Sequence, residues 1–124
     1  MVQAKVLHTC LNVADASESI AFYEQLGLER SWQFTTADDA TTNYYVADND
    51  GVEIQLSETD GRTDFDMGTG WDHLAFGVDD VDEVVESLDH YGVVKEPGPQ
   101  PEADAYTAFV RDPDGHLIEL IEPL

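Results

Sequence analysis

Apolar residues alternate with polar ones in two short stretches, residues 5–13 and 72–79. That period belongs to strands with one buried face. After each stretch the spacing becomes helical. Ile20, Phe22, Tyr23 and Leu26 fall near one helix face within residues 15–26. Val81, Val84, Val85, Leu88 and Tyr91 do the same within 80–91. Asp15 or Ser17 is the expected N-cap of the first helix and Asp79 or Asp80 that of the second. Gly27 and Gly92 stand where a helix ends in a left-handed residue. Asn49-Asp50-Gly51 and Pro113-Asp114-Gly115 are tight-turn sequences, each leading into a closing strand. Residues 30–46 and 93–110 supply two middle strands each. Residues 57–70 read as a linker, and Pro97, Pro99 and Pro101 as a loop beside a pocket.

The two series are copies of each other. His8-Thr9-Cys10-Leu11-Asn12-Val13 resembles His73-Leu74-Ala75-Phe76-Gly77-Val78 at an offset of 65. Asp48-Asn49-Asp50-Gly51-Val52-Glu53-Ile54-Gln55-Leu56 resembles Asp112-Pro113-Asp114-Gly115-His116-Leu117-Ile118-Glu119-Leu120 at an offset of 64. Several matches in one order at nearly one offset indicate an internal repeat with a single deletion. The predicted fold class is α+β, built of two βαβββ modules at residues 1–60 and 70–124.

Strand parity then singles out four polar residues. Leu7, Leu11 and Val13 share one face and His8 takes the other; Leu74, Phe76 and Val78 oppose His73. Ile54 and Leu56 oppose Gln55, and Ile118 and Leu120 oppose Glu119. All four point away from the helix-packing face, and the repeat matches His8 to His73 and Gln55 to Glu119. A pseudo-twofold arrangement of the halves brings such pairs together. Two imidazoles and two side-chain oxygens suit one divalent ion of borderline softness: Ni, Co or Zn, with Fe or Mn as further options. A single strand histidine is usually a hydrogen-bonded structural residue; the joint pattern is what favours ligands. His90 and His116 lack that support and read as surface residues. Cys10, on the His8 face, reads as packing.

Composition changes the picture mainly through charge. Asp and Glu number 27 against 5 Lys and Arg, for a formal net charge of −22. Such a chain repels nucleic acid and anionic membranes. The acids are interleaved with periodic apolar residues, which argues for a folded protein and against disorder. A salty cytoplasm that screens self-repulsion suits it, and folding that depends on salt is the expectation. No apolar run nears the roughly 20 residues of a membrane span, and MVQAKVLHTC has no signal-peptide layout. One cysteine allows no internal disulfide, in keeping with a reducing compartment.

The motifs together resemble the vicinal oxygen chelate superfamily, and within it glyoxalase I (lactoylglutathione lyase). They are Leu7-His8-Thr9, SIAFYEQLGL at Ser19–Leu28, Ile54-Gln55-Leu56, Asp72-His73-Leu74-Ala75, and Phe109–Gly115 running into Leu117–Ile121. The resemblance implies a single domain over residues 1–124, with the two modules forming a cupped mixed sheet. It implies metal ligands at His8, Gln55, His73 and Glu119. It also implies a homodimer with sites at or near the interface, and isomerisation of a 2-oxoaldehyde–thiol hemithioacetal to a 2-hydroxyacyl thioester. Glu119 would then be the catalytic base, since Gln55 stands where the family usually has Glu. Asn12 and Thr59 occupy positions that grip glutathione, where Arg and Asn are common, so another thiol is implied. Competing readings are a methylmalonyl-CoA epimerase-like enzyme, which needs a second base near Asn43; an Fe(II) extradiol dioxygenase using His8, His73 and Glu119; and a non-catalytic small-molecule-binding module.

Overall fold

The computed structural model describes residues 2–123. The chain forms two compact units, residues 1–65 and 66–124. The first contains β1 (His8–Val13), α1 (Ala16–Glu24), β2 (Glu29–Thr35), β3 (Thr41–Ala47) and β4 (Glu53–Thr59). The second contains β5 (Leu74–Gly77), α2 (Val81–Ser87), β6 (Val93–Gln100), a 3-10 turn at Pro101–Ala103, β7 (Ala105–Arg111) and β8 (Leu117–Pro123). Each unit makes its own four-stranded mixed sheet, ordered β1-β4-β3-β2 and β5-β8-β7-β6. The first and last strands of a unit pair in parallel; the other pairs are antiparallel. The repeat therefore holds at the level of topology. Among the described residues no helix is long and apolar enough to cross a membrane.

Each helix starts on two carboxylates. Asp15 caps α1 by accepting from Ser17 N, and Glu58, from the end of β4, accepts from Ala16 N at 2.8 Å. Asp80 caps α2 by accepting from Glu83 N, and Glu122 on β8 accepts from Val81 N at 2.9 Å. Negative charge at a helix N-terminus satisfies free N–H groups and complements the helix dipole. The closing strand is thus tied to the start of the helix by the same device in both halves. Gly27 and Gly92 have φ of 91° and 129°, the left-handed backbone expected past each helix.

The helix side of the first sheet carries Leu11, Val13, Val46, Ile54 and Leu56, packed with Ala16, Ile20, Phe22 and Tyr23 around α1. The second unit buries Val110, Ile118 and Leu120 on its strands, but α2 buries only Val81 of its own seven residues.

Several expectations need correction. The second helix stops at Ser87, because Leu88 turns extended (φ −74°, ψ 132°) and packs inward. The β-branched pair Val84-Val85 is a weak helix former with little to sustain further turns. Tyr91 is consequently off the helix and exposed, and His90 lies beyond the helix end. Leu7 precedes β1 and is exposed, so its side chain is not on the buried face. The connection between modules starts later than residue 57, since β4 continues to Thr59. Pro97 and Pro99 lie within β6, a terminal strand of its sheet, where a missing N–H is tolerated; Pro101 opens the 3-10 turn.

Candidate metal centre

In the second unit, His73 sits one residue ahead of β5 and Glu119 lies on β8. The parallel register sets Ala75 beside Glu119, and Phe109 of β7 is opposite Glu119 on the other side. His73 Nε2 lies 3.0 Å from Glu119 Oε1. Its other ring nitrogen, Nδ1, lies 2.5 Å from Asp72 Oδ1. The ring meets Phe109 edge-on, centroids 5.2 Å apart. The hydrogen bond with Asp72 pushes the imidazole above its ordinary range; partial burial works against this, and the charges of Glu119 and Asp72 add to it.

The first unit has the same plan with different chemistry. His8 opens β1 and meets Tyr45 edge-on at 5.5 Å, as His73 meets Phe109. Gln55 on β4 is opposite Tyr45 on β3 and beside Cys10 on β1. Its Nε2 donates to Asn43 Oδ1 at 2.8 Å. Tyr45 stacks on Trp32, centroids 4.2 Å apart, with Phe34 alongside, so an aromatic wall flanks Gln55 on this sheet face. A hollow of about 270 Å³, lined by Ala16, Ser17, Ile20, Glu24, Arg30 and Tyr44, lies on the opposite, helix side of the sheet.

The remaining candidates fall as follows. Asn12 is an exposed β1 residue on the His8 face. Thr59 ends β4 and shares a hydrogen bond with Thr41, Oγ1 to Oγ1 2.9 Å. Cys10 is exposed, so it does not serve as packing; partial desolvation raises its thiol above the ordinary range. His116 is buried, against the expectation of a surface residue.

His116 belongs to a second group of metal-ligand type, with Asp112 and Asp114, whose ligand atoms lie within 4.8 Å of one another. Here the turn accounts for the group. The fully buried Asp112 carboxylate accepts from the backbone N–H of Asp114 and of His116, and its oxygens lie 2.9 and 3.0 Å from His116 Nδ1. The equivalent Asp48 accepts from the N–H of Asp50 and Val52 in the first unit. The same side-chain-to-backbone turn thus opens both closing strands.

A profile of the glyoxalase/bleomycin resistance protein/dioxygenase superfamily matches residues 5–120. The chain belongs to that superfamily. Among superfamily members it is 35% identical to a probable lactoylglutathione lyase of Vibrio parahaemolyticus, over 98% of this chain and 93% of that protein. It is 35% identical to the lactoylglutathione lyase of Salmonella typhimurium, over 95% and 92%. Of solved superfamily structures, glyoxalase I of Zea mays superposes with a TM-score of 0.85 at 29% identity, covering 95% of this chain and 44% of the maize chain. The trypanothione-dependent glyoxalase I of Leishmania major gives 0.83 at 29%, covering 97% and 87%.

The donor set of the second half-site, an imidazole and a carboxylate side by side, is of a type that could hold an ion. Neighbouring ligands at right angles on an octahedral divalent ion, about 2.1 Å out, are about 3 Å apart, the separation of His73 Nε2 and Glu119 Oε1. A carboxylate on Nδ1 fixes the tautomer that leaves Nε2 to ligate, and Asp72 is so placed. Strand parity and the internal repeat give neither Asp72 nor Asn43 a role at a ligand. The signal for Asp72 was adjacency to His73; for Asn43 it was the register of β3 on β4.

Proposed function

We propose that the chain is a glyoxalase I-like lyase that isomerises a hemithioacetal of a 2-oxoaldehyde and a thiol to a 2-hydroxyacyl thioester. The observation that carries this reading is the Asp72–His73–Glu119 chain of contacts, within a chain that aligns end to end with lactoylglutathione lyases. His8, Gln55, His73 and Glu119 would hold one divalent ion. When bound, that ion supplies Lewis-acid polarisation of the substrate oxygens and steadies the negative charge of the enediolate.

Glu119 does the proton transfer. Its carboxylate takes the proton from the carbon bearing sulfur and oxygen, and returns it to the neighbouring carbon that began as the ketone. The hydroxyl proton of the first carbon passes to the former ketone oxygen, so the first carbon becomes the thioester carbonyl and the second the carbinol, and atoms and electrons balance without an outside reagent. Gln55 and its neighbour Asn43 are both amides, so neither offers the second carboxylate that a two-base epimerase needs. Asn12 and Thr59 stand where an Arg–Asn pair would grip glutathione, which weakens the case for glutathione and leaves the identity of the thiol to the assay. The assembly is a homodimer, the ion is Ni, Co or Zn, and the setting is a salt-rich cytoplasm.

Metal analysis of protein purified in high salt, paired with an ultraviolet thioester assay on methylglyoxal premixed with several thiols, tests the reading. About one equivalent of metal and thiol-dependent absorbance are expected. Metal-free protein that binds the adduct without turnover would make it a binding module. Iron with oxygen uptake on catechols would make it a dioxygenase.

A further inference from the structure

We propose that Asn43 is a positioning residue that decides which end of the Gln55 amide faces outward. The inference rests on the reading of Gln55 as a metal ligand. A carboxylate presents an oxygen whichever way it turns. A carboxamide has an oxygen that can ligate and an NH₂ group that carries only donors and repels a cation. Half a turn about the last side-chain bond exchanges them with almost no change in shape. Gln at a ligand position therefore needs a neighbour that accepts from its nitrogen.

Asn43 meets that need. Its Oδ1 accepts from Gln55 Nε2 at 2.8 Å, and the residue is 5% exposed, so water competes poorly for the bond. The antiparallel register puts Tyr45 opposite Gln55 and Asn43 opposite Ser57, so Asn43 is the diagonal neighbour of Gln55 on one sheet face. With the nitrogen engaged, Gln55 Oε1 is left as the end to ligate. The second half has no such requirement, because Glu119 is symmetric. Its diagonal neighbour across β7, opposite Ile121, is Thr107, whose hydroxyl accepts from Lys95 Nζ at 3.2 Å.

The test is calorimetric titration of Co(II) into metal-free protein, with the visible spectrum of the Co(II) form as a second readout. The variants are Asn43→Leu and Asn43→Asp, each in the wild-type and Gln55→Ala backgrounds. Asn43→Leu removes the acceptor and should weaken Co(II) binding about tenfold, the lower end of what partners that orient a ligand contribute. Asn43→Asp keeps acceptors and no donor, so it should bind no more weakly than wild type and restore the spectrum. In the Gln55→Ala background Asn43→Leu should have no further effect. Should Asn43→Leu not fold, Asn43→Ala removes the same acceptor with less bulk. Equal weakening in both backgrounds, or Asn43→Asp as weak as Asn43→Leu, overturns the inference and leaves the metal reading standing. Wild-type affinity in Gln55→Ala alone removes Gln55 as a ligand and overturns both.

Discussion

In one half of the molecule an amide, Gln55, is fastened to another amide, Asn43; in the other a carboxylate, Glu119, meets an imidazole that a second carboxylate steadies. Much of the frame beneath is shared: strand order, helix caps, closing-strand turns, and the edge-on contact of each histidine with the aromatic residue opposite Gln55 or Glu119. The difference teaches that a duplicated scaffold can keep its frame while its two copies divide the chemistry. Under the proposed function the first half would only ligate, whereas the second would ligate and move the proton.

Glu119→Gln breaks this comparison most severely, since it gives both halves an amide. Turnover should fall by about 10²–10⁴, the usual worth of a proton-transfer group, while metal analysis still finds part of the ion. Retained activity would take the base away from Glu119. The paired turns come next. Asp112→Ala removes a buried carboxylate that serves two backbone donors and His116, and should cost about 3 kcal/mol. Asp48→Ala, at the exposed equivalent, should cost about 1 kcal/mol. Urea unfolding at one fixed high salt concentration measures both, and equal costs would contradict the burial difference.

Asp72→Ala should weaken metal binding about 10–100-fold by freeing the His73 ring. Leu7→Ala, at the equivalent apolar position beside His8, should leave affinity unchanged. A titration in which both variants weaken alike would erase the asymmetry. The smallest effect concerns Cys10, whose counterpart is Ala75. Its raised thiol holds less thiolate at any given pH, so iodoacetamide should modify it more slowly near pH 8 than a free cysteine, with the gap closing as pH rises. Modification as fast as free cysteine would show the thiol to be unshifted.

Much of the frame was legible because strand parity and helical spacing are local properties. The first and closing strands of each half and the starts of both helices follow from period and residue type, and the structure selects Asp15 over Ser17 and Asp80 over Asp79 as the caps. What escaped depended on which strand lies beside which. Glu58 and Glu122 repeat at an offset of 64, yet their reach to Ala16 N and Val81 N needs the parallel pairing of β1 with β4 and of β5 with β8. The buried state of His116 depends on Asp112 being enclosed where Asp48 is not. For the candidate centre, the four ligand positions came from repeat and parity. Asn43 did not, because its role arises only from register.

Pro97 and Pro99 were misread because no local signal marks a strand as the last of its sheet, and that position has a consequence for the chain's behaviour in company. Gly98, Pro99 and Gln100 pair with β7 at Thr107, Tyr106 and Ala105, and the prolines at 97 and 99 offer no N–H to a strand arriving on the other side. An incoming strand would find carbonyls but a gap in donors along that stretch. In a chain with 27 acids against 5 bases, this edge is a poor template for sheet extension between molecules.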